Sequence, residues 1–232
     1  MNAVSLGCQI LISVLLLTIC STVAAEQSPS SIVTSPSGQI SWQTRETAFF
    51  NLVQRVKSGD ASAQKELDGY LTEYEKHPMA RTPMENLDVL GVFYVPRDGV
   101  EKCLPVIIMN VTLGWYDALR FGSESGRSEI GSNRHFFKRA YILGGEKTLK
   151  EAGDFLSKNP DKVRILISQG LELAKKWRDT SEYDHQWVTA FGLERVISST
   201  GGSEKIVPVP KEKWEECWDA AEKRVREYYV IK

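Results

Sequence analysis

Apolar residues recur at spacings of three and four along nearly the whole chain, and no long alternating run bounded by hairpin turns occurs. That pattern predicts an all-α protein. Phe49, Leu52, Val53 and Val56 mark a first helix that stops at Ser58-Gly59. Ala63, Leu67, Tyr70, Leu71 and Tyr74 mark a second, running from Asp60 to near His77-Pro78. Thr82-Pro83-Met84-Glu85 then offers an N-cap, a proline at the first helical position and a capping-box glutamate, so a third helix runs to about Tyr94, before Pro96.

From Cys103 to Phe121 the apolar residues cover nearly the full circumference, which predicts a central helix packed on several sides. Val106 to Val111 alone would also suit a buried strand, but Trp115, Tyr116, Leu119 and Phe121 continue the helical spacing. Beyond a glycine- and serine-rich loop or broken helix, Ser132-Asn133 caps a short helix carrying Phe136, Phe137, Ala140 and Tyr141. Gly144-Gly145 breaks it before a helix over 146–158, and Asn159-Pro160-Asp161 supplies the cap and first-turn proline of the next, with Val163, Leu166, Ile167, Ala174 and Trp177 inward. Ser181 and Asp184 open another helix, ending before Gly201-Gly202. A last one follows Pro208-Val209-Pro210, with Trp214, Cys217, Trp218, Ala221, Val225 and Tyr228 on one face. The expected architecture is one domain over 40–232 of eight or nine helices, packed as antiparallel hairpins around the central apolar one.

Met1 to Ala25 carries no charged side chain, and its apolar stretch from Ile10 to Ile19 ends near Val23-Ala24-Ala25. This matches a secretory signal of roughly 7 to 15 apolar residues better than a membrane span of about 20, although the usual Lys or Arg near the start is missing. The expectation is a signal peptide over 1–25, a mature chain in the periplasm or secreted, and a membrane link only if the segment stays uncleaved. Residues 26–39, rich in Ser, Pro, Gly and Thr, form a leader too polar to bury much surface. A formal net charge of -1 argues against nucleic-acid binding, for which a clustered basic excess is expected.

Of four cysteines, Cys8 and Cys20 fall in the signal, leaving Cys103 and Cys217. In an oxidising compartment they form either a disulfide, stapling the C-terminal helix to the central one, or two buried thiols. No CxxC or Cys/His cluster points to a metal, and no cofactor motif occurs. Asn110-Val111-Thr112 is a glycosylation sequon in apolar surroundings, which argues for burial.

Gly59-Asp60-Ala61-Ser62-Ala63-Gln64-Lys65-Glu66-Leu67 resembles the G-D-A-x-A-Q-x-x-L signature of Sel1-like repeats, relatives of tetratricopeptide repeats. Trp115-Tyr116-Asp117-Ala118, with Ser125 to Glu129, is a second echo, and the two do not recur at a fixed period. The resemblance implies helical hairpins and protein binding, and it brings no functional residues with it.

Glu194 stands near the centre of an apolar face, seven residues from Trp187 and three from Phe191. A carboxylate there is either an acid/base group or ligand anchor, or half of a buried pair with an arginine from the 120–134 stretch. On the central helix Asn110, Asp117 and Arg120 form a polar strip. It either lines a pocket, with Arg120 holding an anion and Trp115 or Tyr116 as a wall, or fixes helix register through internal hydrogen bonds. The ligand-binding candidates are therefore Glu194, Asp117, Arg120, Asn110 and Trp115, and no residue set is assigned to catalysis. The first functional expectation is an exported, non-enzymatic module that binds a protein partner, of an immunity or chaperone type in the bacterial periplasm. The alternatives are a small-ligand receptor or enzyme built on Glu194, Asp117 and Arg120, and a structural envelope protein.

Overall fold

A computed structural model describes residues 42–122, 124–132, 136–180, 187–188 and 207–229. The expected signal and leader, Glu194 and the expected helix opened by Ser181 lie outside these residues, apart from Trp187 and Val188. Among the described residues every regular element is helical, as the spacing predicts. None of these helices is long and apolar enough to cross a membrane. The chain divides after Lys76 into two compact units.

The first unit contains a hairpin of α1 (Trp42–Lys57) and α2 (Ala61–Lys76). Gly59 takes φ 87°, a left-handed conformation that spares only glycine the Cβ penalty. Its N–H bonds the Val56 carbonyl, and that of Asp60 the Arg55 carbonyl, the two bonds of a Schellman stop. Asp60 then starts the next helix. One of its oxygens accepts from the Ser62 hydroxyl at 2.6 Å and from the Ser62 and Ala63 amides at 2.9 and 3.1 Å, while Arg55 holds the other at 3.0 Å. The Ser62 hydroxyl above all, then the Ala63 amide and Arg55, keep the Asp60 carboxyl well below the usual carboxylate range. Phe49, Leu52 and Val53 on α1 and Ala63, Leu67 and Tyr74 on α2 are buried. The residues that carry the repeat-like signature thus make a turn, a cap and two interior contacts.

The second unit is built on α5 (Val100–Arg120), buried on nearly every side. Before it, Thr82 and Glu85 close a complete capping box at the start of α3 (Pro83–Val89). The helix does not stop at Tyr94, as the sequence suggests, but continues through a π-helical turn, Leu90–Tyr94, into α4 (Val95–Asp98). Pro96 has no N–H and its ring would strike the carbonyl four residues back, and the wider turn in front of it, closed by Val95 N–H on the Leu90 carbonyl, accommodates both. Gly99, at φ 83°, ends this rod and begins α5.

Beyond α5 come α6 (Glu124–Ser132), α7 (Phe136–Lys158) and α8 (Pro160–Trp177). Of the loop or broken helix expected between α5 and Asn133, the second is the form seen: a turn at Phe121 and Gly122 precedes the short helix α6. The break foreseen at Gly144-Gly145 is present, with Gly145 at φ 66°. Asn159 occupies the expected N-cap position of α8, but its side chain makes no capping bond and instead turns back to donate to the Phe155 carbonyl at 2.9 Å. The most extensive helix pairing is α5 with α8. A Cβ on Gly170 would lie 2.5 Å from Ile108 Cβ and 2.6 Å from the Pro105 carbonyl oxygen, so the two backbones meet where only glycine fits. Finally α9 (Trp214–Tyr229) lies on α5 and, less extensively, on α8.

The expected bridge between Cys103 and Cys217 is not formed. Cys103 is in the first turn of α5, whereas Cys217 feels the charge of Arg120 in its last turn. Those two turns are about 25 Å apart at roughly 1.5 Å per residue, and a disulfide needs Cα atoms within about 7 Å. Nor does Cys217 sit between two tryptophans in the core, since it and Trp214 are only half-buried.

Candidate functional site

The polar strip on α5 splits into two separate arrangements. At its middle, Asn110 is buried and accepts from Asn86 Nδ2 of α3 at 2.9 Å, while its own Nδ2 donates to the Val106 carbonyl at 2.8 Å. Asn86 also reaches the Pro78 carbonyl at 3.2 Å, so this amide pair locks α3 against α5. The sequon asparagine is therefore an interior residue, as its apolar surroundings suggest.

Two turns further on, Asp117 and Arg120 are 1 % and 4 % exposed, which makes their pairing decisive. Asp117 Oδ1 accepts from Arg120 Nη2 at 2.7 Å and from Nε at 3.2 Å. Its Oδ2 accepts from Trp187 Nε1 at 2.8 Å. Both carboxylate oxygens are thus engaged. The guanidinium lies 4.5 Å from the Tyr116 ring centre, 4.9 Å from that of Trp214 and 5.2 Å from that of Phe121, enclosed by three aromatic faces. Placed at the C-terminus of α5, the cation also complements the helix dipole.

The backbone completes the enclosure. Val209 N–H bonds the Arg120 carbonyl at 2.7 Å, and the Val209 carbonyl accepts from Trp214 Nε1 at 3.0 Å. The segment around Val207 to Pro210 runs close over the end of α5. A Cβ on Gly122, itself at φ 69°, would come within 2.9 Å of the Val207 carbonyl oxygen. Behind the cage the Tyr116 and Trp218 rings meet edge to face at 5.6 Å, and Arg178 covers Trp218 at 5.0 Å while pairing with Glu215 at 3.0 Å. Burial pushes the Tyr116 hydroxyl up, against the opposing pull of Arg120. Burial and, after it, the charge of Glu216 also push the Cys217 thiol up, which keeps it protonated rather than nucleophilic.

Trp115 does not join Asp117 and Arg120. Trp115 and Asp117, two residues apart on the helix, are separated by about 200° around it, and Trp115 lies instead against Gly131 of α6, beneath Arg224 of α9. Glu194 lies outside the described residues. The missed members of the site are Trp187, Trp214 and Val209. A buried indole N–H requires an acceptor, so two tryptophans at core spacing were a signal to look for one. Among the described residues no group of three His, Cys, Asp or Glu could hold a metal ion. Compared with known proteins, the chain matches no family model, no curated protein and no solved structure.

Proposed function

We propose that this chain is an exported, non-enzymatic helical module that binds another protein. The observation carrying this reading is the closure of the Asp117–Arg120 cluster: both carboxylate oxygens accept, one from Arg120 and the other from Trp187, and the guanidinium, 4 % exposed, is paired with Asp117 and walled in by three rings. A general base or an anion clamp needs an unspent lone pair or donor facing a place where substrate can sit. Here the same groups tie the end of the central helix to Trp187 and to α9, which is scaffold work. The repeat-like hairpin residues fit the same reading, because helical hairpins present faces to partners. An immunity or chaperone role in the bacterial periplasm is the specific form proposed.

The test is a pull-down of the tagged full chain from the envelope fraction, read by mass spectrometry. One protein recovered in stoichiometric amount is the expected result. A chain that returns with a small molecule and no protein, or a turnover abolished by Glu194→Gln, overturns it.

A further inference from the structure

Most arginines with a described side-chain contact are matched by a carboxylate: Arg55 by Asp60 and Glu66, Arg97 by Asp98, Arg120 by Asp117, Arg164 by Asp161, Arg178 by Glu215, and Arg226 by Glu222. Arg224 is different. Its side chain is exposed, no carboxylate of the described residues pairs with it, and its guanidinium carbon lies 4.6 Å from the ring centre of Trp115.

Stacking uses the flat face of the guanidinium and leaves its in-plane N–H donors pointing outward, the fork that grips a carboxylate through two parallel bonds. The indole below lies beside α6, its far edge about where a Cβ on Gly131 would be in van der Waals contact, at 3.5 Å. One turn along α9, on the same face, Tyr228 is 49 % exposed and braced edge-on by Tyr229 at 4.9 Å. A half-buried tryptophan, an arginine whose donors meet no acceptor among the described residues, and an exposed tyrosine form the residue set that dominates protein interfaces.

We infer that Trp115, Arg224 and Tyr228 form the docking patch for an acidic segment of a partner protein, with Arg224 gripping an Asp or Glu side chain over the Trp115 ring. The charge dictates the partner: among the described residues the patch presents a cation without a counter-ion, and an acidic residue supplies one. This inference rests on the protein-binding reading above and names the chemistry of the partner.

The test uses the full chain on an array of octapeptides in three matched sets, rich in Asp and Glu, in Asn and Gln, or in Lys, each with Leu and Phe spacers. Wild type is expected to bind the acidic set at least about tenfold more than the amide set. R224E is expected to lose that preference and to favour the lysine set, with an unchanged circular dichroism spectrum and Tm. W115A keeps the charge but removes the platform, and should weaken acidic binding. Equal binding to the three sets, no binding, or the same pattern for wild type and R224E overturns the patch. If R224E captures the envelope partner as fully as wild type, the patch falls while the protein-binding reading stands. If acidic peptides bind wild type alone yet no envelope protein is captured, the patch stands and that reading falls.

Discussion

Asp117→Asn separates a scaffold from a site. The substitution preserves shape but replaces one acceptor oxygen with an NH2 group, and both oxygens are in use: one toward Arg120, the other toward Trp187. Whichever way the amide turns, a donor faces a donor, and Arg120, only 4 % exposed, loses its counter-charge. Breaking one partner of a buried pair costs about 3 to 5 kcal/mol, because the other charge is left desolvated. The enclosing rings return part of this, each cation–π contact being worth about 0.5 to 2 kcal/mol. The expected net loss is about 3 kcal/mol, or roughly 6 to 12 °C in Tm at about 2 to 4 °C per kcal/mol for a domain of this size. Urea unfolding followed by circular dichroism, with tryptophan fluorescence reporting on Trp187 and Trp214, measures it. The double variant Asp117→Leu/Arg120→Met removes both charges but leaves the buried Trp187 indole N–H without its acceptor, at about 1 to 3 kcal/mol, so it should recover only part of the loss while still giving a coupling above about 1 kcal/mol. Single variants within about 0.5 kcal/mol of wild type, or a double variant equal to the sum of the singles, refute the buried-clamp reasoning.

Three further outcomes follow from the geometry. Gly170→Ala should destabilise by about 1 to 3 kcal/mol in urea unfolding despite the gain in helix propensity, because the Pro105 carbonyl cannot move aside, and a neutral result contradicts the close α5–α8 approach. The Asp60 carboxyl titrates below its unfolded value of about 4, so its stabilisation is present above that pH and lost as pH falls through and below it. The stability gap between wild type and Asp60→Asn should therefore be constant near pH 6 to 7 and shrink below about pH 4, and a pH-independent gap contradicts this. In unreduced, folded protein, iodoacetamide should modify Cys217 slowly at pH 8, whereas buried Cys103 reacts only after unfolding. A mass lower by two hydrogens and no alkylation would establish the bridge after all.

What the sequence disclosed follows what is local. Helix periodicity, the Thr82 capping box, the Gly59 stop and the Gly145 break depend on neighbours within a few residues, and the structure has each of them. Pro96 was misleading because the penalty for a proline is local, while its remedy, a π turn anchored by buried neighbours, is tertiary. Asn159 shows a cap residue with two local partners available, of which the backward one wins. The strip of Asn110, Asp117 and Arg120 was legible as polar residues on an apolar helix, yet its division into two networks depends on Asn86 and Trp187. Such pairings between distant positions leave no periodic trace. Arg224 over Trp115 is of the same kind, because nothing near either residue indicates the other.

The central claim, that the chain works by binding a protein while the Asp117–Arg120 cluster serves only to hold the fold, is tested most directly by one comparison. Tagged wild type and the folded Asp117→Leu/Arg120→Met variant are each used for capture from the envelope fraction, with bound protein quantified by mass spectrometry. The account predicts one partner in stoichiometric amount with both. No protein partner with wild type, or a well-folded double variant that has lost it, would contradict the account.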